Sequence, residues 1–122
     1  MQEADNILRI FKETKDALSQ GDSYGVKKLS NQTIHSAAVY QDPDNIIVAV
    51  LIYSISKVME RENYHEMEGW DTFYKTLIQQ LDLAISALEQ KDIDKFRVRV
   101  GKIRNAINRI SGNLKEYIAD VF

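Results

Sequence analysis

The residues best placed to do chemistry lie near the C-terminal end of the chain. Between positions 95 and 115 the sequence holds seven bases, Lys95, Arg97, Arg99, Lys102, Arg104, Arg109 and Lys115, and no acid. Closely spaced cations of this kind can neutralise successive phosphates, and Asn105, Asn108 and Asn113 add hydrogen-bond donors between them. The same residues also flank an apolar heptad seam, and charges in that position commonly serve pairing. The first expectation is therefore that they face acids of the middle segment, such as Asp71, Asp82 and Glu89, across a helical hairpin or a dimer interface. The second is an open, RNA-binding surface made of Lys95, Arg97, Arg99, Lys102, Arg104 and Arg109. A net charge of −2 favours the first, because a dedicated nucleic-acid binder is basic overall.

A smaller group, His35, Arg61 and His65, forms a candidate polar site. Glu62 and His65 have the E-x-x-H spacing that puts a carboxylate and an imidazole on one helical face, as di-iron bundles require. Such a centre needs two of these motifs and two further glutamates, and this chain has one motif. With two histidines and no cysteine, zinc ligands are also few, so neither a metal nor a cofactor is expected. His35 has small neighbours, as a phosphate-accepting histidine on a helical bundle would. Histidine phosphotransfer domains carry a lysine and a glycine shortly after that residue, whereas Ser36, Ala37, Ala38 and Val39 follow here. All-helical HEPN ribonucleases pair an arginine with a histidine at longer spacing than Arg61 to His65, so an RNA-processing role stands as an analogy. The chain has no phosphate-binding glycine loop and no nucleophile elbow.

Positioning these residues falls to helices. Ile7, Ile10, Phe11, Thr14 and Leu18 recur at helical spacing from Glu3 to Ser19, with Gly21 as a stop signal. Ser23 can cap a second helix with a small, polar inward face of Val26, Leu29, Thr33, Ala37 and Tyr40, suited to close approach by a neighbour. Asp42 as N-cap, Pro43 in the first position and Asp44 beside the helix dipole start a third helix. Its opening, IIVAVLIY, is apolar on every side, which suits the middle of a bundle or a place beneath a partner chain. ENYHEMEG then reads as a loop or a frayed helix end. A fourth helix from Trp70 to Glu89 shows Trp70, Tyr74, Leu77, Leu81, Ala84 and Leu88 at steps of three and four. Asp92 caps a fifth, whose seam runs from Ile93 through Phe96, Val100, Ile103, Ile107 and Ile110 to Leu114, Tyr117 and Val121. Trp70, Phe73 and Tyr74 should either close one end of the core, the favoured reading, or form an interface anchor.

These elements predict an all-α, up-and-down bundle of about five helices with a long C-terminal antiparallel hairpin, residues 1–122 forming one domain. The longest apolar run, Ile46 to Tyr53, is too short to cross a membrane, and the absence of cysteine fits a reducing cytoplasm. Surplus apolar area on the third helix and along the hairpin points to a non-enzymatic protein–protein interaction module, most simply a homodimer. RNA binding or HEPN-like RNA processing through the basic helix is the alternative.

Overall fold

The computed structural model describes residues 4–111. They form an all-α bundle: α1 (Ala4–Ser19), α2 (Ser23–Tyr40), α3 (Pro43–Met59), α4 (Trp70–Glu89) and α5 (Ile93–Ser111), with one 3-10 turn at Tyr64–Glu66. No strand occurs among the described residues. The seam expected past Ser111, through Leu114, Tyr117 and Val121, lies outside them, as do Asn113 and Lys115.

Side-chain caps start three of the helices. The Asp42 carboxylate accepts from the backbone N–H of Asn45 at 3.0 Å, with Pro43 in the first turn where a missing N–H costs nothing. Asp92 accepts from the Lys95 N–H at 3.1 Å. α2 corrects the sequence reading, because its cap is Asp22, which accepts from the Gly25 N–H at 2.8 Å, and Ser23 is the first helical residue. Gln41, Asn63 and Lys91 take up left-handed backbone conformations in the connections, where glycine is the more usual choice.

The helices form a ring in the order α1, α2, α3, α5, α4, closing on α1. The most extensive packing is between α2 and α3 and between α4 and α5. Gly69, Thr72 and Phe73 at the start of α4 line the same groove as Ala106, Arg109 and Ile110 near the end of α5, so these two helices run antiparallel. One continuous core fills the ring. Phe11 of α1 and Phe96 of α5 meet inside it with ring centroids 5.8 Å apart, and Ile7, Ile55, Leu77, Leu81 and Ile103 belong to the same core. Trp70 and Phe73 are buried at one end, in a cluster with Tyr64 and Tyr74.

The α2–α3 contact is built from small groups, as the inward face of α2 suggested. Ser30 and Thr33 on α2 and Ala49 and Ser56 on α3 are buried, and the Thr33 hydroxyl donates to the Ser30 carbonyl at 2.8 Å. Ala37 is half-buried and Tyr40, expected inside, is exposed. Because small residues fill this seam, the large apolar residues of α3 are divided. Val48, Leu51, Ile52, Ile55 and Val58 point into the core, while Ile46, Ile47 and Val50 remain outside.

Candidate interaction surface

The outer face of α3 is the main unexplained feature of the fold. Ile46 is 45% exposed, Ile47 43% and Val50 55%, and half-buried Tyr53 continues the same face. Residues 46, 50, 53 and 57 are separated by 4, 3 and 4, the spacing of a heptad seam, so Ile46, Val50, Tyr53 and Lys57 form a second stripe on the side away from the core. Lys57 ends this stripe with its ammonium group 5.2 Å from the Tyr53 ring centroid and 3.1 Å from the Glu60 carboxylate. The Lys27–Glu60 ion pair fixes the register of α2 against α3. Counting seven residues inward from each member brings Ile34, itself 45% exposed, beside Tyr53. Tyr24, Val39 and Val98 are also exposed but lie on other faces, and scattered apolar residues of that kind are ordinary on soluble domains. α3 is thus not the central helix of the bundle, and the described residues leave Ile46, Ile47 and Val50 on one of its faces exposed.

The basic helix is arranged differently from the expected cross-hairpin pairing. Asp82 pairs with Lys15 and Glu89 with Lys12, both on α1, which leaves these two acids of α4 engaged on the side away from α5, while Asp71 has no ion pair among the described residues. The hydrogen bond and charge of Asp82 push the Lys15 ammonium pKa up. Arg97 instead reaches α3, where its Nε and Nη2 donate to the two carboxylate oxygens of Asp44 at 3.1 and 3.0 Å. This fork is one-sided in burial, since Asp44 is almost wholly enclosed and Arg97 is more than half exposed. The bidentate bond and the charge of Asp44 raise the already high pKa of Arg97. Lys95 lies 3.9 Å from its own cap, Asp92. Arg99, Lys102, Arg104 and Arg109 have no carboxylate partner among the described residues. At 100° per residue, Lys95, Arg99, Lys102 and Arg109 border α4, while Arg97 and Arg104 border α3, so the six do not share one face.

Asp42, at the first end of the α3 stripe, is charged. Burial alone would raise its pKa, but the N–H and side-chain amide of Asn45 and the N–H of Asp44 hydrogen-bond the carboxylate and hold it below the ordinary range.

His35, Arg61 and His65 do not form one site. His35 is exposed on α2 in an open groove with Arg9, Lys28, Asn31, Gln32 and Ser36. It lies twelve residues into the helix, roughly 18 Å from its start. Arg61 and His65 are exposed at the end of the bundle beside that start, where the Tyr64 hydroxyl lies 3.4 Å from the Gly21 carbonyl and the Tyr64 ring stacks edge-on with His65. No group of three or more potential metal ligands occurs among the described residues.

Neither protein-family models, nor curated proteins, nor solved structures give a match to this chain. The fold and its surfaces define the class as an all-α helical bundle. Among the described residues, no helix is long and apolar enough to cross a membrane.

Proposed function

We propose that this protein is a non-enzymatic helical interaction module that self-associates through the outer face of α3, working in the cytoplasm. The observation that carries this reading is the exposure of Ile46, Ile47 and Val50 on α3, with Ile34 on α2, an apolar surface that lies outside the core formed by the described residues. Large apolar side chains at heptad spacing on an outer helical face gain free energy only when another surface removes them from water. Sedimentation velocity over a concentration series tests the reading. The wild-type sedimentation coefficient should rise with concentration, Ile46→Glu should abolish the rise, and Val39→Glu, exposed on a different flank, should leave it intact. A wild-type protein that stays monomeric at high micromolar concentration refutes self-association.

A second reading, RNA binding, rests on Arg99, Lys102, Arg104 and Arg109 having no carboxylate partner among the described residues. It requires RNA affinity that falls steeply with salt and is lost when Arg99 and Arg104 are reversed to glutamate. No retention of RNA at low ionic strength in a filter-binding experiment removes it.

A further inference from the structure

We infer that the nucleic acid served by the basic helix is double-stranded RNA, gripped by its backbone across the face where α5 borders α4; this deepens the RNA-binding reading above and rests on it. At 100° per residue, Lys95, Arg99, Lys102 and Arg109 lie within about 80° of one another around α5 and extend about 21 Å along it. Asn105, which is exposed, fills the gap between Lys102 and Arg109. Cation or amide donors therefore recur about every 5 Å along one line, close enough to meet successive phosphates and riboses of a strand. Lys95 is the weakest of the four cations, with Asp92 3.9 Å away, and the other three have no ion pair among the described residues. Asp82 and Glu89 of α4 do not offset the row, because lysines of α1 hold them on the far side of that helix.

The make-up of the face selects its occupant. Among the described residues of α4 and α5 no aromatic ring is exposed, since Trp70, Phe73 and Phe96 are buried and Tyr74 is half-buried. Unpaired bases have nothing to stack on, so a single strand gains little here beyond its charge. Leu83 and Val98 are the only large apolar residues exposed on the described parts of these two helices, too few to anchor a protein partner or enter a membrane surface. The row stands at the edge of α5 that meets α4, and Thr72 and Thr76 of α4 share a groove with Arg109. The face is consequently two helices across, roughly 20 Å from side to side, too broad for the B-DNA major groove at about 12 Å. The minor groove of A-form RNA is wide and shallow and presents 2′-hydroxyls, partners for the Asn105 amide and the threonine hydroxyls while the cations hold phosphates. Glu68 lines the same groove and limits the row at its Arg109 end. Nothing in this arrangement reads a base, so duplex shape and charge set the binding.

Fluorescence anisotropy with the full chain tests this on RNA duplexes of about 20 base pairs in two unrelated sequences, on one of their strands alone, and on a DNA duplex of matching sequence. The two RNA duplexes should bind within about twofold of each other and at least about fivefold more tightly than the single strand or the DNA. With three to four phosphates engaged, the association constant should fall roughly hundredfold between about 50 and 200 mM salt. Lys102→Gln and Arg109→Gln should each weaken duplex binding about fivefold and lower the salt slope by about one, and Lys102→Arg should keep wild-type affinity. Arg104→Gln, about 160° around α5 from Lys102, should change neither quantity. A single strand or DNA duplex bound as tightly as duplex RNA, or a loss in Arg104→Gln equal to that in Lys102→Gln, overturns the inference while RNA binding stands. Binding of none of the probes at low salt removes the RNA-binding reading with it and leaves the self-association reading untouched.

Discussion

Truncation of Val50 separates the contribution of the α3 face to association from its contribution to folding. Val50→Ala removes two methyl groups, worth about 1.6 kcal/mol if moved entirely from water to an apolar contact at about 0.8 kcal/mol per carbon. In the isolated chain Val50 is 55% exposed, so about 0.9 kcal/mol of that value is realised only on association. On the proposed self-association one Val50 from each copy leaves water, giving about 1.8 kcal/mol per dimer, or roughly a twentyfold rise in dissociation constant. Folding of the monomer should hardly respond, because the position is exposed and alanine is the better helix former, which keeps the change within about 0.5 kcal/mol. Sedimentation equilibrium measures the first quantity, and urea denaturation at a concentration low enough to hold the protein monomeric measures the second. A dissociation constant within threefold of wild type, or a loss of monomer stability above about 1 kcal/mol, would show that Val50 packs inside the bundle or away from any interface.

Three further perturbations test the fold. The Gln80 side-chain oxygen is buried without a hydrogen-bond partner among the described residues, so Gln80→Met should raise stability by about 1 kcal/mol in urea melts; a loss would mean that the oxygen is satisfied. Asp42→Ala should cost about 1 kcal/mol at pH 7 through loss of the α3 cap. The folded-state pKa of Asp42 is depressed, so its contribution is present above the unfolded carboxyl pKa of about 4 and is lost as pH falls through the lower folded value. Wild type and variant should therefore converge in stability below about pH 4, and a constant difference down to pH 2 would contradict this. Lys91 sits at a φ of 59°, and Lys91→Gly should raise the melting temperature slightly, relief of about 1 kcal/mol of backbone strain exceeding the added chain entropy; a lower melting temperature would show that the link tolerates lysine without strain.

Much of the fold was legible because its signals are local. The Asp42-Pro43 start, the Asp92 cap and the span of α4 each follow from residues within a few positions of one another. The α2 cap went to the wrong neighbour because Asp22 and Ser23 are both good capping types, and only the Gly25 N–H, aimed at the Asp22 carboxylate, separates them. The surface was harder to read. An apolar run such as IIVAVLIY has no periodicity that marks an outside, and the division of α3 is decided by Ser30 and Thr33 on a different helix. The Arg97–Asp44 fork joins residues 53 positions apart, beyond the reach of any local pattern, and the engagement of Asp82 and Glu89 by α1 depends on which side of α4 faces that helix.

The ring order of the helices also carries a parity constraint. Helices that alternate up and down around a closed ring need an even number, and five leave one neighbouring pair running the same way. Here that pair is α3 and α5, whose N-terminal ends lie together at the Asp44–Arg97 fork. Two positive dipole ends meet there, and the enclosed Asp44 carboxylate sits between them as a shared counter-charge. This seam is also the least extensively packed around the ring, so the mismatch imposed by an odd helix count is concentrated in one place and held there by a charged fork.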